Sequence, residues 1–189
     1  FTVSSEGTQF DKKYFLQDRP KRKVLQFYRS YYDNFKNVKI ENVEFQRDDE
    51  EVVFREKLKI NSINYAQKFG NRLMFIPNVL NQTFSVPDKY KKRVAPFTIS
   101  RGYFDEDELT FTIPEKMDIE SIPDAIDIKS KFGTYHANFK KLSSGKIKYN
   151  RSMLIKKGDY SKQEYQEFRE FMDNIKNKDQ SKIILIKRT

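Results

Sequence analysis

Chemistry near neutral pH needs a group that titrates there or an activated nucleophile. This sequence has one histidine and no cysteine. His136 stands between Tyr135 and Ala137 in an alternating stretch. That is the setting of a solvent-facing or hydrogen-bonded strand histidine rather than of a catalyst. Without thiolates or a second imidazole, a zinc site would have to be assembled from carboxylates around His136, which is not a usual ligand set. Zero cysteine also removes disulfides and Cys nucleophiles. The acidic runs Asp48-Asp49-Glu50-Glu51 and Asp105-Glu106-Asp107-Glu108 lack the alternating ligands and central glycine of a calcium loop. They read as charged turns, the first closing a hairpin and the second keeping a loop solvated ahead of residues 109–113. The six glycines are isolated, as in turns, and form no phosphate cradle. No catalytic residue, metal ligand or cofactor is expected.

Two basic clusters remain, Arg19-Pro20-Lys21-Arg22-Lys23 and Lys89-Tyr90-Lys91-Lys92-Arg93. Their cations are phosphate-contact chemistry, with Tyr90 as a stacking platform. A solvated helix start and a solvated linker are the better reading, because acids are interleaved through the rest of the chain. The first cluster falls at a predicted helix N-terminus, where positive charge opposes the helix dipole, and that favours a partner. Arg19, Lys21, Arg22, Lys23, Lys89, Tyr90, Lys91, Lys92 and Arg93 are therefore the candidates for ligand or partner contact. The chain carries 37 Lys+Arg against 27 Asp+Glu, a formal charge of +10. Acids and bases are interleaved along most of the chain, so a mixed solvated surface explains the excess and a nucleic acid is disfavoured. Asn81-Gln82-Thr83 and Asn150-Arg151-Ser152 fit the glycosylation pattern, which is too short to decide anything.

These groups need elements to hold them. Hydrophobic residues make up 37% of the chain, but 17 Phe and 11 Tyr supply large buried areas per residue, unlike a disordered chain. Residues 2–16 read as one or two strands. Asp18 and Pro20 signal a helix start, and Val24, Leu25, Tyr28, Tyr31, Tyr32 and Phe35 recur at helical spacing, predicting a helix over about 20–34. From Val38 the period becomes two, with a parity change near Asn42 that predicts a bulge. Alternation continues through 52–60, 73–76, 97–99, 109–113, 135–139 and 147–155, with turns at Phe69-Gly70-Asn71 and Ser143-Ser144-Gly145. Ser161 and Glu164 form a capping box, and Tyr165, Phe168, Phe171, Met172 and Ile175 give a second helix over about 162–176. Ile183–Ile186, apolar on both faces, predicts a central or covered strand. The expected fold is mainly β, an antiparallel β-sandwich with two packed α-helices and about ten strands. Residues 1–90 and 91–189 are expected to form one globular unit or two closely packed lobes. No apolar run approaches the about 18 residues that would span a membrane.

The second half carries an ordered set of motifs. Arg93-x-x-Pro96, Ile113-Pro114 and Ile119-Glu120-x-Ile122-Pro123 are followed by Ile128-x-Ser130-Lys131-Phe132-Gly133-x-Tyr135 and Ile147-x-Tyr149-x-Arg151. Then come Gly158-x-Tyr160-x-x-x-x-Tyr165-x-x-Phe168-Arg169-x-Phe171 and Asp179-x-x-Lys182-Ile183-Ile184-Leu185. In order and spacing this resembles the C-terminal β-domain, of unknown function, of transglutaminase-like proteins of Bacteroidota, and the resemblance covers most of 20–189. It implies an N-terminal β-sandwich and a papain-like core with a Cys-His-Asp site ahead of this domain. A chain without cysteine lacks that core, so none of its catalytic residues is carried over.

The expectation is thus a noncatalytic accessory or interaction module of a larger extracytoplasmic protein, in the periplasm or at the outer-membrane surface. Its start at Phe1 reads as that of a fragment or a processed product. The implied partner is the upstream transglutaminase-like domain, with a glycan or protein as a further partner. A carbohydrate- or peptide-binding β-sandwich is the alternative, drawing on Tyr28, Tyr31, Tyr32, Tyr90 and Tyr103. A polyanion binder using clusters 19–23 and 89–93 is the third.

Overall fold

Alternation dominates the sequence, and the computed structural model turns it into strands that, among the described residues, pair antiparallel. It describes residues 1–32, 37–83, 85–142 and 145–188. The chain divides into two units, Phe1–Tyr65 and Ala66–Thr189. The fold is mainly β, as the sequence pattern predicts.

The first unit contains β1 (Thr2–Glu6), α1 (Thr8–Asp11), a 3-10 turn (Tyr14–Asp18), α2 (Lys21–Tyr31), β2 (Val38–Asp48) and β3 (Val53–Ser62). Its sheet has the order β1-β3-β2. The pairing of β2 with β3 shifts between Ile40 and Asn42, the bulge expected from the parity change. The run Asp48–Glu51 closes the hairpin, with Asp48 Oδ1 accepting the Glu50 and Glu51 N–H groups at 3.2 and 3.0 Å. Tyr28 of α2 stacks on Phe45 of β2, ring centroids 6.3 Å apart, and so lays the helix on the sheet.

Three readings are corrected here. Only β1 of the stretch 2–16 is a strand. Phe10, Lys13 and Leu16 are buried at three-residue spacing, and that spacing winds the chain into helical turns. The burial of Lys13 hid this pattern from a reading by hydrophobicity. Its Nζ lies 2.6 Å from Glu56, itself 1% exposed, and Glu56 also accepts the Tyr28 hydroxyl. Asp18 does not cap α2. Pro20 holds that position, its carbonyl accepting the Lys23 and Val24 N–H groups at 2.8 and 3.2 Å, and Asp18 accepts Arg47 Nη1 at 3.1 Å instead. Tyr28 and Tyr32 are buried, so they belong to the core rather than to a ligand surface. Asn34, the predicted helix end, and Phe35 lie outside the described residues.

The second unit begins with the hairpin β4 (Gln67–Phe69) and β5 (Arg72–Phe75), turned at Gly70 with φ of 60°. β6 (Phe97–Ile99), β7 (Tyr103–Thr112), β8 (Met117–Ser121), β9 (Ile126–Ser130), β10 (Gly133–Leu142), β11 (Lys146–Ile155) and β12 (Gly158–Tyr160) follow. A 3-10 turn (Lys162–Glu164), α3 (Tyr165–Asp179) and β13 (Ile183–Lys187) complete it. The sheets have the orders β7-β11-β10-β9, β4-β5-β13-β8 and β12-β6. β13 is central, as its two apolar faces require, and it pairs with β5. Residues 67–75, grouped with the first half in the sequence reading, therefore share a sheet with the end of the chain.

The two four-stranded sheets meet where Phe75 and Phe111 approach to 5.2 Å, a sandwich-like contact. Phe171 and Ile175 of α3 pack against Phe132, Tyr135, Tyr149 and Met153. Gly133 admits no side chain, because a Cβ there would lie 1.8 Å from the Leu154 carbonyl oxygen. Ser143 and Ser144 of the expected turn lie outside the described residues. Asp105–Glu108 lie within β7, not in a loop, and Asp107 is buried.

The reason for Asp107 is Arg151. Buried and half-buried positions alternate along β11, and Arg151, only 1% exposed, occupies a buried one between Tyr149 and Met153. Its Nη1 donates to Asp107 at 3.0 Å and its Nε to Asp179 at 3.0 Å. Asp179 also accepts the Tyr135 hydroxyl at 2.9 Å, Asn78 Nδ2 at 2.7 Å and the Thr83 N–H at 2.9 Å. Asn81 Nδ2 donates to Asp107 at 2.7 Å. Burial pushes the Asp107 carboxyl up, with Arg151 and Asn81 pulling against it. Burial disfavours the Arg151 charge, and Asp179 and Asp107 outweigh that, so its pKa lies above the ordinary value.

Removing the cation would leave two buried carboxylates unpaired. Arg151→Met is expected to cost about 3–5 kcal/mol, read as a fall in the urea midpoint. A loss below about 1 kcal/mol would show that the carboxylates do not depend on it.

Candidate ligand-binding cleft

Sequence reading places both basic clusters on the surface, and the structure gives them different surroundings. Arg19, Lys21, Arg22 and Lys23 are exposed at the start of α2 in the first unit. Arg19 lies over the Phe15 ring at 5.7 Å. The second cluster belongs to the second unit, in the connection between β5 and β6. Lys89, Tyr90, Lys91 and Lys92 are exposed, and Arg93 is half-buried.

That connection is strapped along the start of α3. Arg169 Nε donates to the Pro87 carbonyl at 2.6 Å, and the Tyr165 hydroxyl donates to the Asp88 carbonyl at 2.9 Å. Arg93 closes the strap from its other end. Its guanidinium sits 4.0 Å from the Tyr165 ring centroid, 5.5 Å from Tyr90 and 5.7 Å from Phe97. Its Nε donates to Ala95 O at 2.9 Å and its Nη2 to Pro96 O at 3.2 Å. A planar cation held among aromatic faces and carbonyls is work for arginine rather than lysine. Arg93, expected as a contact residue, is thus in large part an architectural one.

Phe97 extends the same cluster inward. It lies 5.4 Å from Tyr165, 5.2 Å from Tyr160 and 5.2 Å from Phe168. Tyr160 and Tyr165, the residues flanking the capping box, therefore meet through Phe97. The box itself forms: the Ser161 N–H and hydroxyl each lie 2.7 Å from Glu164 Oε2. Lys131, at the β9–β10 turn, reaches Glu164 at 2.9 Å and Glu167 at 2.7 Å.

Between the strap and the helix start lies an open cleft of about 250 Å³, lined by Tyr90, Arg93, Lys162, Gln163, Tyr165 and Gln166. Tyr90 is 54% exposed, and its ring centroid is 5.7 Å from that of Tyr165. The cleft joins two of the nominated residues, Tyr90 and Arg93, to four that sequence reasoning did not nominate. The capping box places Lys162 and Gln163 in the first turn, but nothing local in the sequence shows that residues 90 and 165 meet.

His136 lies in β10, with Asn138 Nδ2 at 2.9 Å from its Nε2, in keeping with a hydrogen-bonded strand histidine. Among the described residues no group of three or more His, Cys, Asp or Glu could hold a metal ion. Among them also, no helix is long and apolar enough to cross a membrane.

Two outcomes follow from this geometry. Lys131, then the Ser161 hydroxyl and N–H, hold the Glu164 carboxyl at about 2, below the ordinary 4.5. Because the folded-state value is depressed, the stability Glu164 contributes is present above pH 4.5 and is lost as pH falls through about 2. A carboxyl-detected NMR titration should give a midpoint near 2, and a midpoint of 4.5 would show that the cap contacts are not made. Arg93→Lys should speed amide hydrogen exchange over 87–99 while changing global stability by less than about 1 kcal/mol. Unaltered exchange there would show that the strap is held without the guanidinium.

A model of a protein family described as "Domain of Unknown Function with solved-structure structure" (DUF3858) matches residues 71–185. No curated protein matches the chain, and no solved structure does.

Proposed function

Because the chain belongs to the DUF3858 family through residues 71–185, we propose that it is a noncatalytic accessory or interaction module of a larger extracytoplasmic transglutaminase-like protein. The family match spans most of the motifs that carry the resemblance, from Arg93 to Leu185. In this reading the chemistry belongs to a Cys-His-Asp core in the parent protein, and that core is the module's first partner.

One observation carries the interaction role. The strap 87–96 is fastened to α3 by Arg169, Tyr165 and Arg93, and this holds an exposed tyrosine and its neighbouring lysines at a defined cleft. A preordered surface binds with less loss of conformational freedom than a solvated linker would. Elsewhere in the second unit, the buried charges of the Arg151 network serve its architecture. The aromatic wall of the cleft is what favours the carbohydrate-binding alternative.

The test of the accessory role is the native gene product. Mass spectrometry of the protein recovered from the source cells should show a chain longer than 189 residues, with a cysteine-containing core N-terminal to Phe1. Cell fractionation should place it outside the cytoplasm. A mature product without that core, or one confined to the cytoplasm, would overturn the reading.

A further inference from the structure

The cleft of the second unit also has a chemistry specific enough to name a ligand class. We propose that it is a binding subsite for an anionic saccharide, one sugar ring lying on Tyr90 with its carboxylate directed to Lys162 and Arg93. This deepens the interaction role above and rests on it.

Three properties converge. The first is the aromatic wall. Tyr90 is 54% exposed and is inclined at 50° to Tyr165, so one ring is open to a ligand while the other backs it. The negative face of an aromatic ring attracts the weakly positive C–H bonds on one side of a pyranose. The second is the pair of amides, Gln163 and Gln166, which border the same cleft. An amide offers both donors and an acceptor, which is what a sugar hydroxyl needs. Gln166 gives one donor to Glu170 at 2.9 Å, and its carbonyl oxygen is an acceptor for a hydroxyl.

The third property is the sign of the field. Arg93 and Lys162 line the cleft, and Lys89, Lys91 and Lys92 adjoin it in the strap. Of the carboxylates around it, Glu164 and Glu167 are paired with Lys131, Glu170 accepts from Gln166, and Asp88 stands in the strap beside the four cations Lys89, Lys91, Lys92 and Arg93. Arg93 Nε and Nη2 are used by carbonyl oxygens, while Nη1 has no hydrogen-bond partner among the described residues. A carboxylate is therefore the favoured substituent on the sugar.

Size separates this ligand from a nucleic acid. At about 250 Å³ the cleft is just below the about 300 Å³ where small-molecule pockets begin, which suits one sugar residue. A single-stranded nucleic acid is tracked by successive stacking platforms. Here Arg93 sits closer to Tyr165, at 4.0 Å, than to Tyr90, at 5.5 Å, and Phe97 also packs on Tyr165, which leaves Tyr90 as the more exposed ring of the wall.

The intact 189-residue chain would be titrated calorimetrically with an oligogalacturonate, with a neutral maltooligosaccharide of equal length, and with a short oligothymidylate. The expected result is saturable binding of the uronate that weakens with salt. It should fall at least about tenfold in Tyr90→Ala and in Lys162→Glu, and be unaltered in Lys39→Glu of the first unit. All three positions are exposed, and near-UV circular dichroism would confirm that each variant is folded. Absent binding, equal binding of the neutral sugar, tighter binding of the oligothymidylate, or indifference to Tyr90→Ala would each overturn the proposal. The mass and location of the parent protein are measured independently, so failure of this subsite is distinguishable from failure of the accessory role.

Discussion

The second unit is organised around one buried cation. Arg151 lies among apolar side chains of β11, where an unpaired charge could not be tolerated, so carboxylates must come to it from other elements. Asp107 comes from β7 and Asp179 from the last turn of α3. The requirement spreads outward from there. Asp179 draws in Tyr135 of β10 together with Asn78 and Thr83 of the loop after β5, and Asp107 draws in Asn81 of the same loop. One guanidinium thereby relates a sheet, a helix end and a connecting loop. Hydrophobic area alone would press these elements together without specifying their register, whereas two carboxylates about 3 Å from one fork are directional.

The cleft inherits its order from that arrangement. α3 is placed by Asp179 at one end and by the capping box and Lys131 at the other. Its first turns then offer Tyr165 and Arg169 to the connection between β5 and β6, which is fastened by carbonyl acceptors at Pro87 and Asp88. Arg93 shows how one basic cluster can contain two kinds of residue. Its planar group is enclosed by rings and carbonyls, while Lys89, Lys91 and Lys92 beside it remain in solvent. The first unit uses a related device on a smaller scale, where buried Glu56 holds Lys13 and Tyr28 and so fixes the helical turns against the sheet.

Much of this was legible in period and parity. The bulge near Asn42, the central place of β13, the capping box and the mainly β antiparallel character follow from alternation, from apolarity on both faces and from the residue types at a helix start. What period and parity did not convey is that several charged residues lie in phase with buried stripes. Lys13 is spaced three residues from Phe10 and Leu16 and is buried with them. Asp107 has the parity of Leu109 and Phe111, and Asp179 continues the stripe of Phe171 and Ile175. Arg151 has the parity of Ile147, Tyr149, Met153 and Ile155. A charged residue in phase with a buried stripe is a signal that its partner is elsewhere in the chain, and it was open to reading.

The sequence by itself determined the local geometry: which stretches alternate, where turns and caps fall, and which face of each element is apolar. It also determined the absence of cysteine and the single histidine, and with them the chemistry open to the chain. Only the tertiary structure decided which charges are partners. Local periodicity reports how a residue is oriented on its own element, but not which other element it will face. Arg151 lies 44 positions from Asp107 and 28 from Asp179, and Tyr165 lies 77 from Asp88. Those distances close only when the sheets and α3 pack, and the cleft exists only then.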